Sequence, residues 1–400
     1  MSLHDAEAGR PLAPRRQTRQ IRLGRLAVGG GAPISVQTMA TADTRDLAAC
    51  TDQIRQLQAA GADIVRVAVP DKTAAANLGS LQRAINIPLI ADIHFDHRLA
   101  LEALLQGVQG IRLNPGNIGG QARVREVAKL AKERGVPIRV GVNAGSLEKR
   151  LLAKYGRATP EAMVESARDE IRMLEDEGFL DIKISLKASD VPTAVRAYRL
   201  ASQAFDYPLH LGITEAGTLQ TGSVKSAAGL AILLAEGIGD TLRISLAADP
   251  IEEVKVGVSL LKSLGLRDGG LTFVACPTCG RCSVEMIPVA ERVERKLQVI
   301  AGDVHVAVMG CEVNGPGEAK EADIGIAYGH GGVGVLFKKG RLVKRMPADE
   351  LEAVLVEEAR KIAAGEPSEL VAEPPPPPSA ADVGPRLHPI AQDVLAHTRF

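Results

Sequence analysis

Between residues 34 and 250 one pattern recurs eight times: a short β-rich run followed by a stretch that is apolar at helical spacing. The β-rich runs are ISVQTM (34–39), ADIVRVAV (62–69), IPLIADIHF (87–95), GIRLNPG (110–116), PIRVGVN (137–143), DIKISLKASD (181–190), PLHLGITE (208–215) and TLRISLAAD (241–249). Between them lie segments such as DLAACTDQIRQLQAAG and QARVREVAKLAKERG, closed by Gly61 and Gly135, where glycine ends a helix without steric cost. An open doubly wound sheet is the main rival, but it rarely carries eight such even units. The repeat therefore predicts an α/β chain built on a closed TIM-type (β/α)8 barrel over residues 21–265, with residues 1–20 as an N-terminal extension.

The pattern changes after the eighth helix (IEEVKVGVSLLKSLG, 251–265) and a short linker, LRDGG. LTFVAC, DVHVAVMGC, ADIGIAY and GVGVLFKK read as strands, with helices near 286–299 and 347–364. This predicts a second, smaller α/β domain over 271–364, holding four of the five cysteines. From 365 to 400 the chain turns to EPPPPPSAADVGPRLHP and beyond, which cannot pack a core and is expected to be a disordered tail.

Catalytic residues of such barrels sit at the C-terminal ends of strands. Those ends supply Arg66, Asp92, His94, Arg112, Asn114, Arg139, Asn143, Lys183, Lys187, His210, Glu215, Arg243 and Ser245. A basic residue recurs in one local frame: IVRVAV, GIRLNP, PIRVGV, DIKISL, TLRISL. Unpaired buried charge is costly, so five cationic strands need compensation. Salt-bridge layers with Asp63, Asp92, Glu215 and Asp249 would compensate any one of them. For the whole set, a polyanionic small ligand such as a diphosphate accounts better. Asn114, Asn143 and Ser245 would add neutral hydrogen bonds.

Whole-chain charge does not explain these cations. Lys and Arg number 48, as do Asp and Glu, and there are no Trp, six Phe and four Tyr. Neither a nucleic-acid nor a membrane partner is implied. No run of about 18 apolar residues occurs, and the charged N-terminus has no apolar signal segment. The cysteine pattern is not that of a secreted disulfide framework, and a reducing cytoplasm is expected.

Cys276, Cys279 and Cys282 follow one another as C-x2-C-x2-C, and Cys311 lies in VMGCEVNGPGEA, with Glu318 seven residues on. A free-thiol reading is poor for so local a cluster. Zinc on four thiolates is open, though structural zinc usually shows two paired knuckles. A [4Fe-4S] cluster on all four cysteines resembles bacterial ferredoxin runs. A cluster on three cysteines and Glu318 is the fourth reading, and spacing alone favours the four-cysteine set over it.

Ten stretches in order resemble a single family: VQTMATADTRD, GADIVRVAVP, PLIADIHFD, IRLNPGNIG, IRVGVNAGSLEK, LKASDV, LHLGITEAG, GIGDTLRISLAADP, ACPTCGR and GCEVNGPGEA. It is the 4-hydroxy-3-methylbut-2-en-1-yl diphosphate synthase family of the methylerythritol phosphate route to isoprenoids, in its compact bacterial form. The resemblance covers about residues 15 to 360. It implies reductive ring opening of 2-C-methyl-D-erythritol 2,4-cyclodiphosphate through a [4Fe-4S] cluster, with electrons from reduced flavodoxin or ferredoxin. By resemblance the cluster ligands are Cys276, Cys279, Cys311 and Glu318. Cys282 departs from the family pattern and becomes a neighbour of the cluster. The substrate-binding set is Arg66, Arg112, Asn114, Arg139, Asn143, Lys187, His210, Arg243 and Ser245, and Glu215 is the proton donor. A zinc-stabilised barrel transferase of the pterin type, binding a phosphorylated ligand without redox chemistry, is the alternative.

The linker adds a geometric expectation. Five residues reach at most ~18 Å, and a six-residue strand alone spans ~20 Å. The eighth helix ends at the barrel's bottom, so the second domain can hardly fold back over its own mouth. It is expected to serve the mouth of the other subunit in a homodimer.

Overall fold

A computed structural model of the chain describes residues 13–298, 300, 302–311, 317, 320–367 and 370. Glu318, the first twelve residues of the N-terminal extension and the tail from 371 lie outside the described residues. The chain divides into two compact units between Arg267 and Asp268.

The first unit opens with a hairpin, β1 (Ile21–Leu23) and β2 (Leu26–Val28). Eight parallel strands follow: β3 (Ser35–Met39), β4 (Ile64–Ala68), β5 (Leu89–Asp92), β6 (Gly110–Leu113), β7 (Ile138–Asn143), β8 (Ile182–Lys187), β9 (His210–Leu211) and β10 (Thr241–Leu242). They are ordered β8-β7-β6-β5-β4-β3-β10-β9, and the bridges Ile184↔Leu209 and Ala188↔Ile213 join β8 to β9 and close the barrel. The eight predicted β-rich runs each supply one of these strands.

The outer ring comprises α1 (Leu47–Ala59), α2 (Lys72–Ala84), α3 (His97–Leu105), α4 (Gln121–Arg134), α5 (Lys149–Tyr155), α6 (Pro160–Glu175), α7 (Val191–Ala204), α8 (Leu219–Ala235) and α9 (Pro250–Ser263). Asp46, Asp71, Asp96, Thr159, Asp190 and Asp249 cap six of them, each side chain accepting a first-turn N–H. Such a cap contributes about 1 kcal/mol and fixes where the strand-end loop stops.

Period-two alternation sorts the strand side chains. Ile138, Val140 and Val142, like Ile182, Ile184 and Leu186, join the main apolar core under the helices. Arg139, Gly141 and Asn143, and Lys183, Ser185 and Lys187, therefore face the barrel interior. The bottom of that interior is apolar. Ile64 and Ile90 pack there with Ile21, Leu23 and Val28 of the hairpin. Gly110 makes room for it, since a Cβ at that position would lie 2.8 Å from Leu23 Cδ2. The hairpin was not apparent in the sequence, because three-residue strands show too little alternation to register.

The second unit is a five-stranded sheet ordered β11 (Leu271–Ala275), β12 (Val304–Met309), β13 (Ile324–Tyr328), β14 (Val333–Lys338), β15 (Arg341–Pro347). The first three strands are parallel and the last two antiparallel. Helices α10 (Met286–Leu297) and α11 (Ala348–Ala364) share one apolar core with it, through Val293, Leu297, Leu351 and Leu355 against Val306, Ile324 and Ile326. Strand β15 was not predicted. It is an edge strand whose exposed Arg and Lys mask its short apolar alternation.

No helix among the described residues is long and apolar enough to cross a membrane.

Candidate active site

Register sets the electrostatics of the barrel. Asp92 pairs with Arg112, Arg112 with Arg139 and Arg139 with Lys183 along four adjacent strands. Neighbouring strands lie about 4.8 Å apart, so three cations stand side by side with one carboxylate at the end of the row. Asn143 and Lys187 pair two inward levels nearer the mouth, beyond Gly141 and Ser185. Arg139 and Lys183 are thus second in β7 and β8, in the body of the barrel. The sequence reading put them at strand ends, because alternation identifies the inward face without saying how deep each position lies.

Asp92 accepts contacts from Arg66 Nε at 3.6 Å and Arg112 Nη1 at 3.4 Å. Arg66 Nη2 also lies 2.9 Å from Met39 Sδ. Arg243 pairs with Glu253 of α9 at 3.3 Å. Glu253 was missed in the sequence, since an acid in the first turn of a helix looks like ordinary dipole compensation. Asp63 and Asp249 are used elsewhere: Asp63 binds Arg267 and the Val36 N–H, and Asp249 caps α9.

Six inward cations, Arg66, Arg112, Arg139, Lys183, Lys187 and Arg243, thus meet two carboxylates, Asp92 and Glu253. All three nitrogens of Arg139, Lys183 Nζ, His210 Nε2 and the Nε atoms of Arg66, Arg112 and Arg243 are buried without a hydrogen-bond partner. Arg139 and Lys183 are each 2 % exposed. Donors left open in this way cost several kcal/mol per ion, and a dianion in the barrel would offset that cost.

The protonation equilibria record the same crowding. Burial, then Asp92 against it, then Arg243 and Arg112, leave Arg66 pushed down to about 10. Burial, followed by repulsion from Arg139, brings Lys183 down to about 7. Lys187 is pushed well below its ordinary value by burial and by Arg139. Burial, then Arg139 and Lys183, keep His210 neutral. Its Nδ1 lies 2.8 Å from Thr241 Oγ1. Burial opposes the charge on Asp92, but His94, Arg66 and Arg112 outweigh it and hold the carboxyl well below its usual range.

These shifts give a signed prediction. A bound polyanion restores Lys183 toward its ordinary pKa of ~10.4, so binding takes up a proton wherever free Lys183 is neutral. Diphosphate affinity should be highest below pH 7 and fall up to about tenfold per pH unit above it. Calorimetry at pH 8 in buffers of different ionisation enthalpy should report uptake of about one proton. Buffer-independent heats would contradict the assignment.

Four of the remaining predicted residues lie at or beyond the strand ends. Asn114 caps the turn after β6, its Oδ1 accepting the Gly116 N–H at 3.0 Å. Asn143 and Ser245 are half-buried, at the end of β7 and just beyond β10. Glu215 is exposed in the loop after β9 and adopts a left-handed backbone, φ 52°. A non-glycine residue in that region carries about 1 kcal/mol of strain. His210 and Glu215 were expected as neighbours at a strand end, but His210 is fully buried in the barrel wall and bonded to Thr241.

In the second unit, Cys276 continues β11, its N–H donating to Val308 O at 2.9 Å. Because β11 and β12 are parallel neighbours, with Ala275 opposite Val308, Cys276 and Cys311 leave the sheet at the same end. The loop between them is pinned, since the Ser283 N–H reaches Gly310 O at 3.2 Å. Cys282 Sγ accepts the Cys279 N–H at 3.4 Å and fills the space beside Gly310, where a Cβ would come within 2.5 Å of it. Hydrogen bonds from the Arg281 backbone and side chain lower the pKa of the exposed Cys279 thiol. All five cysteines are free thiols. No group of three or more His, Cys, Asp or Glu side chains that could hold a metal ion is found among the described residues. As donors, however, thiols gathered at one strand end are what an iron–sulfur cluster takes.

Residues 18–258 match the GcpE TIM-barrel domain, and residues 272–361 match the GcpE protein C-terminal domain. Among curated relatives, the 4-hydroxy-3-methylbut-2-en-1-yl diphosphate synthase (flavodoxin) of Geobacter sulfurreducens is 59% identical over 348 residues, 87% of this chain and 98% of that protein. The enzyme of the same name from Ruminiclostridium cellulolyticum is 54% identical, covering 86% of this chain and 97% of its own. That from Caldanaerobacter subterraneus subsp. tengcongensis is 53% identical, covering 87% and 98%.

Proposed function

The chain belongs to the GcpE family, and from that premise we propose how its residues divide the work of a 4-hydroxy-3-methylbut-2-en-1-yl diphosphate synthase. The chain is an oxidoreductase of isoprenoid biosynthesis. It converts 2-C-methyl-D-erythritol 2,4-cyclodiphosphate to (E)-4-hydroxy-3-methylbut-2-enyl diphosphate, consuming two electrons and a proton and releasing water. The relatives' shared name leaves no support for the non-redox zinc transferase.

The observation that carries the division of roles is the set of buried, unpartnered cationic donors in the barrel. Arg66, Arg112, Arg139, Lys187 and Arg243 hold the cyclic diphosphate and balance the charge freed when its ring opens. Asn114, Asn143, His210 and Ser245 fix its orientation through neutral hydrogen bonds. Glu215, at the exposed end of its strand loop, donates the proton that turns the leaving hydroxyl into water.

Cys276, Cys279, Cys311 and Glu318 would hold a [4Fe-4S] cluster, which when bound supplies electrons singly from reduced flavodoxin, the donor in the relatives' names. Glu318, a harder ligand than thiolate, would leave one iron more exchangeable than the other three. A cytoplasmic setting keeps the thiols reduced. The short linker supports a homodimer in which each second unit serves the other subunit's barrel.

Anaerobically prepared protein should be brown and should convert the cyclodiphosphate when given reduced flavodoxin. Colourless, zinc-bound, inactive protein would refute the assignment of roles. Full turnover per chain by a strict monomer at high dilution would refute the cross-subunit arrangement.

A further inference from the structure

Glu170 is a buried acid that the functions assigned above leave unused. It lies in mid-α6, 3 % exposed, beneath the turn that follows β6. The side chains of Asn114 and Glu170 flank Gly116, where a Cβ would lie 3.3 Å from Asn114 Oδ1 and 3.9 Å from Glu170 Oε1, and Asn114 Oδ1 accepts the Gly116 N–H at 3.0 Å. Oε2 of Glu170 is buried without a partner, and so is Oε2 of Glu148. Glu148, in the loop between β7 and α5, is tied to the same helix face. Its Oε1 accepts Ser166 Oγ at 3.1 Å, and Ser166 lies one turn before Glu170.

We propose that Glu170 is a positioning residue for Asn114: its carboxyl group, carrying a proton, holds the Asn114 amide on one side and faces Glu148 on the other. With Asn114 Oδ1 and one N–H engaged, a single amide N–H remains to meet the substrate. The loops after β6 and β7 are held together through one protonated side chain. Asn114 as a substrate contact comes from the functional reading above, on which this inference rests.

The charged groups around Glu170 agree. Glu148 faces it from the β7–α5 loop, Arg112 from β6 and Asp169 from its own helix. Asp169 is paired with Arg150 of α5. On the neighbouring helices, Arg125 of α4 pairs with Glu177 and Arg196 of α7 with Glu161. Burial, then Glu148, push the Glu170 carboxyl up to about 8, against the pull of Asn114 and Arg112. The acid is neutral at pH 7, and a second carboxylate appears beside Glu148 as pH rises through about 8.

Glu170→Gln keeps the shape of the protonated acid and cannot ionise. The holoenzyme carrying it should bind the cyclodiphosphate about as well as wild type at pH 7. The ratio of wild-type to variant Kd should then rise about three- to tenfold between pH 7 and pH 9. Taking the ratio cancels Lys183 and every other group common to both proteins. Glu170→Leu should raise KM about tenfold with kcat little changed. In infrared spectra of the free protein, the carbonyl band of a buried protonated carboxyl should be present in wild type and absent from Glu170→Gln. A flat ratio in a wild-type protein that binds substrate, or a Glu170→Gln variant as impaired at pH 7 as Glu170→Leu, overturns this inference alone. A wild-type protein that fails to bind the cyclodiphosphate overturns the functional reading and this inference with it.

Discussion

Arg139→Met should stabilise the free barrel and at the same time remove most of its affinity for the cyclodiphosphate. The two effects share one cause. Arg139 is 2 % exposed, all three of its side-chain nitrogens lack partners, and its nearest influences include the like charges of Arg66 and Arg112. Replacing a buried, poorly compensated charge by an apolar side chain of similar length stabilises proteins by about 1–4 kcal/mol. For a unit of this size that corresponds to a rise in Tm of roughly 2–4 °C per kcal/mol. In the complex the balance reverses. Hydrogen bonds to charged groups contribute about 1.5–3 kcal/mol each. A guanidinium can give two to one phosphoryl group, so binding should weaken by about two to four orders of magnitude.

Arg139→Lys keeps the charge but loses the fork, and should fall between the two. Arg139→Met should also raise the pKa values of Lys183 and Lys187, for both of which Arg139 is the leading electrostatic neighbour. Proton uptake on binding a diphosphate should then shrink at pH 8. Thermal denaturation of the free protein and calorimetry with the substrate decide the matter. An Arg139→Met protein that melts lower than wild type, or binds equally well, would refute the view that this row of cations exists for a ligand.

The inward cations were legible in the sequence because each interrupts an apolar strand in the same frame. Their depth was not. Positions 139, 141 and 143 are equivalent to a period-two argument, and only the register with β6 and β8 assigns Arg139 to the body of the barrel and Asn143 to its mouth. The buried acids were harder still. Asp92 was visible because it shares a strand end with the cations. Glu253 and Glu170 lie on helices, where PIEEVK and ESARDEIRMLEDEG look like solvated faces. Neither burial nor a partner across the barrel leaves a trace in helical spacing. The same limit hid β15, whose charges suit an edge strand and a loop equally well. Where chemistry depends on which inward residue lies beside which, the chain's pairing had to be seen.

Cys276→Ser and Cys282→Ser should separate completely, although the two thiols lie in the same loop. Cys276→Ser is expected to be colourless and inactive, and so are Cys279→Ser and Cys311→Ser. Cys282→Ser is expected to be brown and active. The distinction rests on what each sulfur already does. Cys276 and Cys311 leave the sheet at the common end of two parallel strands. The exposed Cys279 thiol is shifted toward thiolate by Arg281, the form in which cysteine binds metal. Cys282 Sγ instead accepts the Cys279 N–H and occupies the gap left by Gly310. A serine hydroxyl can accept the same N–H from a smaller volume, so the loop loses little in that exchange. Spacing alone favours Cys282 as the fourth ligand, whereas the resemblance of GCEVNGPGEA to the family implies Glu318. Glu318→Gln should accordingly keep much of the colour and lose turnover. Iron and sulfide content, the visible spectrum and flavodoxin-driven turnover of the variants decide between the two ligand sets. A colourless Cys282→Ser beside a fully active Glu318→Gln would return the fourth iron to Cys282.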